Sequence, residues 1–322
     1  MIKQTYLDDQ PAFIASGPTN IDGQETRMLT LIFRTPPCAY NQCTMCGFDN
    51  NASGKIKDQN IANQYKTGIS TANLTGVRKL DLPTAGSFYN DDEMSPASRK
   101  YLFREASMLP EVEHVMVETR VDYLTIEKVL ESQEQLREDQ EFELAIGLES
   151  ANDQIRNQVL RKGLSRRGFE HFADICQETN SRLRAYVLIG APTLTKEQVI
   201  ADAVETARYI YEVATARGID TFVAFKPMFV PKGTELEIQF NEGEYELPTL
   251  WDVVEVIKRT TELKCFQPNS IWVGMYDENL SNDRVTQNCG ECDTEVSKAI
   301  IKFNGTQDLS ELEKLTCECK GS

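Results

Sequence analysis

Histidine is nearly absent from this chain of 322 residues, which contains only two, His114 and His171. They lie far apart in the sequence, so they predict neither a histidine-based metal site nor a Ser-His-Asp triad. The chain also lacks a Walker loop and a Rossmann glycine fingerprint, the usual signatures of nucleotide binding. Each histidine is expected to be structural or exposed.

Long apolar runs are missing as well. No segment approaches the roughly 20 apolar residues that cross a membrane. The N-terminal sequence MIKQTYLDDQ contains acidic residues in place of the apolar segment of a secretory signal. The sequence thus predicts a cytoplasmic protein without a membrane partner.

Basic residues are outnumbered by acidic ones: the chain has 34 lysines and arginines and 50 aspartates and glutamates, which gives a net charge of −16. Proteins that bind tRNA or DNA unaided usually present a basic surface. The composition therefore argues against unaided nucleic-acid binding. It leaves open a small-molecule substrate, a local basic groove, or a nucleic acid delivered by a partner.

Apolar, β-branched segments alternate with segments of helical periodicity along most of the chain. Strands are predicted at 28–35, 79–87, 114–120, 142–150, 183–190 and 221–230, and helices at 95–109, 125–139, 165–179, 195–216 and in part of 54–76. Six strands separated by helices predict parallel βαβ units in an α/β fold, an open (β/α)6 partial TIM barrel. Sites in such barrels lie at the C-terminal ends of the strands.

The two ends of the chain differ from this pattern. Residues 1–27 are predicted to be a polar, irregular N-terminal arm, and 28–235 the barrel. Residues 236–322 are predicted to be a small cysteine-rich C-terminal extension, with a helix over 248–263 and a strand over 270–275.

Cysteine is plentiful, with nine residues, seven of them clustered. Clustered cysteines in a reducing compartment are typical of metal ligands. Cys38, Cys43 and Cys46 directly follow the first predicted strand. Three thiolates on a 4Fe–4S cluster leave one iron open, whereas a zinc knuckle with a fourth, distant ligand is the alternative.

The loop Cys38-Ala-Tyr-Asn-Gln-Cys43-Thr-Met-Cys46 resembles the cysteine loop of the radical S-adenosylmethionine superfamily. The cysteine spacing is one residue longer than usual, and Met45 replaces the usual aromatic residue, with an expected contact to the adenine. The resemblance implies a cluster whose open iron binds the amino and carboxylate groups of S-adenosylmethionine. With an electron from an external donor, this cofactor releases a 5′-deoxyadenosyl radical.

Later strand ends resemble this superfamily too, especially the branch of the Elongator catalytic subunit. Gly86 and Ser87 stand in the position of its glycine-rich turn, which contacts the methionine amino group. Glu118 and Arg120 resemble a Glu-Ser/Thr-Arg motif and imply contacts to the ribose or amino group and to the carboxylate. A surface ion pair between Glu118 and Arg120 is the alternative.

The next two strand ends complete the resemblance. Glu149 or Ser150 would face the adenosyl group, and Ile189 lies in a segment that resembles the adenine-contacting region. Arg156 follows in the pattern Ile-Arg-(x)5-Lys-Gly and is a further candidate contact. Solvated helix faces and ordinary strand packing are the alternatives for these positions.

A narrower resemblance is to the radical subunits of archaeosine synthase. It includes Cys43-Thr-Met-Cys46-Gly-Phe, Tyr245-Glu-Leu-Pro-Thr-Leu-Trp251, Asn288-Cys-Gly-Glu-Cys292 and Cys317-Glu-Cys319-Lys. It implies a tRNA-modifying partner enzyme that attaches lysine to a deazaguanine base, and a lyase-type cleavage of that lysine adduct here. One alternative is a radical enzyme that modifies a small metabolite or peptide by methyl transfer, sulfur insertion or rearrangement. Another is a non-enzymatic zinc-binding protein.

Four further cysteines lie near the C-terminus. Cys289, Cys292, Cys317 and Cys319 form two pairs, which favour a tetrahedral zinc site that holds the tail to the barrel. An auxiliary iron–sulfur cluster is the alternative. Other side chains lie near predicted strand ends without an assigned role: Tyr40, Phe88, Asn90, Lys226 and Tyr276.

Overall fold

A computed structural model describes residues 7–54, 56–275 and 282–320. Its strands are β1 Phe13–Ile21, β2 Gln24–Ile32, β3 Val77–Asp81, β4 His114–Glu118, β5 Glu141–Glu149, β6 Arg182–Ile189, β7 Thr221–Pro227 and β8 Ile271–Val273. Its helices are α1 Asp58–Thr71, α2 Pro96–Ser107, α3 Ile126–Gln133, α4 Arg166–Glu178, α5 Lys196–Thr215, α6 Glu235–Asn241, α7 Leu250–Thr261, α8 Asp293–Thr306 and α9 Ser310–Lys314.

All eight strands form one sheet in chain order, in which β2 to β8 are parallel. The strands β2 to β7 correspond to the six predicted ones, and a helix connects each to the next. The predicted α/β partial barrel is therefore confirmed. Several helices begin at hydroxyl side chains that accept the N–H of the residue three positions on: Ser95, Thr125, Ser165, Thr234 and Thr249.

The prediction of an irregular N-terminal arm over 1–27 is wrong for residues 13–21, which form β1, and for residues 24–27, which begin β2. This strand pairs antiparallel with β2 along its whole length, from Phe13 opposite Ile32 to Ile21 opposite Gln24. Its sequence FIASGPTNI lacks a regular apolar alternation, and its proline is tolerated because β1 is an edge strand. The turn residues Asp22 and Gly23 both have positive φ angles, and this dipeptide is typical of hairpins.

The predicted strand over 270–275 is also present, as β8, and it extends the same sheet beside β7. Part of the predicted C-terminal extension thus contributes to the barrel. The boundaries at residues 27 and 235 stay predictions.

Helix α8 closes the gap between the first and last strands, because it packs on β1, β2 and β8. The Asn304 side chain donates to the carbonyl of Val273 at 2.9 Å and accepts its N–H at 2.8 Å. Gln307 forms the same pair of bonds with Ile271, at 2.8 and 3.3 Å. Two side-chain amides therefore pair with the backbone N–H and C=O groups at the edge of β8, as a neighbouring strand would.

Within the described ranges, none of the helices has the length and apolar character needed to span a membrane.

Candidate active site

A cavity of about 330 Å³ opens at the C-terminal ends of the parallel strands and continues into the barrel. The structure brings eight of the predicted site residues to its wall: Cys38, Cys43, Met45, Cys46, Gly86, Glu118, Arg120 and Glu149. They come from the loop after β2 and from the ends of β3, β4 and β5. The arrangement follows from parallel strands, whose carboxyl ends meet at one edge of the sheet.

Glu93 ties the cysteine loop to the turn after β3. Its buried carboxylate accepts the N–H of Ala39 at 2.9 Å, the amide of Asn90 at 2.7 Å and the N–H of Ser87. A Cβ atom at Gly86 would lie 1.8 Å from this carboxylate and 3.0 Å from the Cα of Cys38. Glycine is therefore required for the close approach of the two loops. The sequence contained no motif that predicted Glu93.

A second anchor joins the cysteine loop to the end of a π-helical turn at Gln154–Val159 and to the residues that follow it. Thr44 donates through its hydroxyl to the carbonyl of Val159 at 3.0 Å and through its N–H to that of Leu160 at 3.2 Å. The hydroxyl of Tyr40 donates to the carbonyl of Arg161 at 2.7 Å. These bonds fix the loop on the side opposite Glu93.

Arg120 lies over the ring of Tyr40, with its guanidinium carbon 4.0 Å from the ring centroid. It donates to the carbonyls of Lys162 at 2.9 Å and Gly163 at 3.3 Å, and its Nε donates to Asp122. Three of its five N–H groups therefore hold the cavity wall. Its contact to a methionine carboxylate stays a prediction.

Strand β5 is irregular where it reaches the cavity. Its register against β6 shifts between Gly147 and Glu149, and Glu149 has a φ angle of 66°. Such bulges redirect side chains, and strained backbone of this kind is common at active sites. The Glu149 carboxylate accepts a hydrogen bond from Lys162 Nζ at 2.7 Å. A Cβ at Gly147 would lie 2.3 Å from both groups, so glycine leaves room for the ion pair.

The other four predicted contacts do not line the cavity: Ser87, Ser150, Arg156 and Ile189. Arg156 is completely buried, and it donates to the carbonyls of Ser150 and Leu164. The Ser87 hydroxyl accepts the N–H of Arg120 at 3.3 Å. On β6 it is Leu188, not Ile189, that faces the cavity. These four side chains therefore lie behind the residues that line the cavity.

Charged side chains continue from the cavity into the barrel interior. Arg184 lies 2.7 Å from Asp81 and 2.6 Å from Glu143, and Lys79 lies 2.7 Å from Glu143. All four side chains are almost completely buried. Burial opposes ionisation of Glu143, but the charges of Arg184 and Lys79 outweigh it and lower its pKa to about 2. The interior of this barrel thus contains charged side chains beside a buried apolar cluster, whereas barrels are usually filled by branched apolar side chains.

Two ionisable groups in the cavity have pKa values near neutrality. Burial raises the pKa of Glu118 to about 7 and lowers the pKa of Lys226 to about 8. Desolvation disfavours the charged form of each. Shifted groups that share a cavity are typical of functional sites.

The three loop thiols have a geometry unlike that of a single-ion site. Burial raises the pKa of Cys43 and that of Cys46, the latter to about 12, so bound metal would be needed to keep them as thiolates. In the part of the chain that the structure describes, they do not form a group of ligand atoms within 4.8 Å of one another. A cluster that carries each ligand on a different iron accommodates this wider spacing.

The tail cysteines do form such a group. The sulfur of Cys289 lies 3.9 Å from that of Cys292 and 3.7 Å from that of Cys317, and the Cys292 and Cys319 sulfurs are 3.7 Å apart. The Trp251 indole donates to Cys319 at 3.2 Å. The predicted four-thiolate group is therefore assembled, at a place separate from the cavity lining.

Comparison with known proteins places the chain among named relatives, although no protein-family model matches it. It is 30% identical to archaeosine synthase subunit beta of Thermococcus kodakarensis, over 94% of this chain and 92% of the relative. It is 26% identical to archaeosine synthase subunit beta of Methanosarcina acetivorans, over 97% and 88%. Its fold is similar to that of Elp3 from Methanocaldococcus infernus, with a TM-score of 0.54, 14% identity, and coverage of 80% of this chain and 60% of the other.

Proposed function

The chain belongs to the archaeosine synthase beta subunits of the radical S-adenosylmethionine superfamily, and from this we propose that it is a radical enzyme with a 4Fe–4S cluster on Cys38, Cys43 and Cys46. The observation that carries the proposal is the single cavity that these thiols share with Gly86, Glu118 and Glu149. The cluster, reduced by an external donor, would supply the electron that cleaves the sulfur–carbon bond of S-adenosylmethionine to methionine and a 5′-deoxyadenosyl radical.

The residues of this chain would position that cofactor and exclude water. Glu93 and Thr44 hold the cysteine loop from two sides. The missing side chain at Gly86 leaves backbone accessible beside Cys38, and Met45 lines the same cavity. Lys162 holds the Glu149 carboxylate in one orientation, with both side chains largely buried. A primary carbon radical needs such an enclosed site, since stray C–H and S–H groups would otherwise quench it before it reacts with the substrate.

We propose that the substrate is a lysine adduct on a deazaguanine base of tRNA, which the enzyme cleaves as a lyase. The named relatives are archaeosine synthase subunits, and the similarity extends over almost the whole chain. The net charge of −16 disfavours strong tRNA binding by this chain alone. A tRNA-modifying partner enzyme in the cytoplasm would therefore deliver the base to the cavity.

A second candidate function is radical chemistry on a small metabolite or peptide. The cavity volume of about 330 Å³ lies at the lower end of the range for small-molecule sites, and so it would hold a free ligand of modest size.

For the tail we propose a structural zinc ion bound by Cys289, Cys292, Cys317 and Cys319. Zinc–sulfur bonds of about 2.3 Å in a tetrahedron place the sulfurs about 3.8 Å apart. The three observed separations, 3.7 to 3.9 Å, fit this value. Metal analysis of the purified protein tests the proposal, because one zinc per chain supports it and a second iron–sulfur cluster contradicts it.

The substrate proposal is tested with tRNA that carries the lysine adduct, prepared with the partner enzyme. Under anaerobic reducing conditions we expect loss of the lysine moiety together with release of 5′-deoxyadenosine. Cys43→Ala should abolish both, whereas Cys265→Ala, which alters a cysteine outside the cavity, should leave them unchanged. Release of 5′-deoxyadenosine without cleavage of the adduct would contradict the lyase assignment and favour the small-molecule alternative.

A further inference from the structure

The floor of the cavity is built from charged and aromatic side chains of the strand interiors. Tyr186 on β6 and Trp272 on β8 contribute the rings, and Lys226 on β7 lies between them. Its Nζ is 4.8 Å from the Trp272 ring centroid and 5.3 Å from that of Tyr186. A Cβ at Gly274 would lie 2.5 Å from this nitrogen, so glycine makes space for the lysine head group. The floor thus presents a cation between aromatic walls.

An anion lies on the same floor. Asp81 lines the cavity and forms an ion pair with Arg184 through one carboxylate oxygen, at 2.7 Å. Its other oxygen, Oδ1, is buried and has no hydrogen-bond partner among the described residues. Lys226 lies within electrostatic range of Glu118 and of Asp81. A buried carboxylate oxygen without a donor is unfavourable unless a ligand supplies one.

The Lys226 cation and the Asp81 anion together match an amino acid whose carboxylate and ammonium are both free. By its resemblance to the superfamily, S-adenosylmethionine would engage the open iron at the cysteine loop with its own amino and carboxylate groups. Asp81 and Arg184 lie deeper than Glu118, since Asp81 pairs with Met116, two residues before the end of β4, and Arg184 lies five residues before the end of β6. The floor is therefore available to a second, different amino-acid group.

We propose that Lys226 and Asp81 bind the carboxylate and the ammonium of a substrate amino-acid moiety that is attached to the rest of the substrate through its side chain. The proposal rests on the proposed function, because a lysine joined through its side-chain nitrogen keeps its α-ammonium and α-carboxylate free. It names Lys226 and Asp81 as the residues that recognise the α-amino-acid end of that lysine. It also explains why the barrel retains ionisable groups whose burial is otherwise unfavourable.

The test uses three small probes with the anaerobically reconstituted holoprotein, S-adenosylmethionine present and no reductant added. The first is lysine with an acetamidine on its side-chain nitrogen; the second lacks its carboxylate and the third lacks its α-amino group. In calorimetric titrations we expect the first to bind, and each of the others to bind about 10- to 100-fold more weakly, as for the loss of a hydrogen bond to a charged group. Equal affinities for the three, or no binding by any, would overturn the proposal.

A variant tests whether Lys226 is the residue that binds the carboxylate. Lys226→Met retains a chain of similar length and should bind the complete probe about 10- to 100-fold more weakly, with no further loss when the carboxylate is removed. Lys100→Met, at an exposed lysine on α2, should bind like the wild type. A folded Lys226→Met protein that still distinguishes the two probes would refute the assignment. If this variant does not fold, the three-probe comparison in the wild type still decides.

Failure of this proposal is distinguishable from failure of the proposed function. Wild-type protein that cleaves the tRNA adduct but binds the three probes equally would refute the floor site and leave the function intact. Protein that discriminates among the probes but does not cleave the adduct would support the floor site and refute the lysine-adduct function.

Discussion

Gly86→Ala is the substitution that should most specifically disturb the cysteine loop. The new Cβ would lie 1.8 Å from a Glu93 carboxylate oxygen, a distance that has to grow to at least 3.0 Å. The carboxylate is held by Ala39, Ser87 and Asn90, so its displacement strains or breaks bonds that the buried N–H groups of Ala39 and Ser87 cannot replace. Each hydrogen bond to a charged group contributes about 1.5–3 kcal/mol, so two lost bonds destabilise the fold by about 3–6 kcal/mol.

The assay is a double-mutant cycle in thermal unfolding, with Gly86→Ala, Glu93→Ala and the double variant. At about 2 °C per kcal/mol for a chain of this size, Gly86→Ala should lower Tm by about 6–12 °C. Most of that loss should vanish in the Glu93→Ala background, where the clashing carboxylate is gone. Gly54→Ala, at a glycine with open space around it, is the matched control and should have little effect. Fully additive losses would refute the assigned contact.

Three further predictions concern other parts of the molecule. Because burial raises the pKa of Glu118 to about 7 in the folded state, its ionisation should reduce stability progressively as pH rises from about 4.5 to 7, with no effect below that range. Glu118→Gln should remove this component and be about 1–3 kcal/mol more stable than wild type at pH 8, as measured by urea unfolding; equal pH profiles would contradict the assignment. Cys317→Ser should lower Tm and release the zinc proposed for the tail, while the absorption spectrum of the cluster proposed for the loop persists; loss of that spectrum would show that the two sites depend on each other. Asn304→Ala should cost about 1–3 kcal/mol because two bonds to Val273 are lost, and hydrogen exchange at the Val273 amide should accelerate; an unchanged exchange rate would argue against closure of the barrel by α8.

The fold was predictable because six strands are apolar and β-branched, and the helices between them are periodic. Strand β1 was not predictable in this way, since it has no regular apolar pattern and forms by hairpin pairing with β2. The dipeptide Asp22-Gly23 was the available signal. The closure of the barrel by Asn304 and Gln307 joins residues more than 30 positions apart and has no local signature.

The site was predictable where a residue lies at a strand end within a short motif, as for Glu118 and Glu149. It was harder to predict which face of a strand a residue occupies, because adjacent residues point to opposite faces. On β6, for example, Leu188 lines the cavity and its neighbour Ile189 does not. Glu93 acts through contacts with residues distant in sequence, 54 positions in the case of Ala39. Lys162 is the lysine of the pattern Ile-Arg-(x)5-Lys-Gly, but its ion pair with Glu149 was not predicted. Such contacts depend on the folded arrangement of loops and cannot be derived from local pattern.

The most direct test of the central claim is electron paramagnetic resonance of the anaerobically reconstituted, reduced protein, with iron and sulfide content measured on the same sample. We expect one 4Fe–4S cluster that depends on Cys38, Cys43 and Cys46, a signal that changes when S-adenosylmethionine is added, and release of 5′-deoxyadenosine. Protein that holds zinc and no iron at the cysteine loop, with no 5′-deoxyadenosine formed, would contradict the claim.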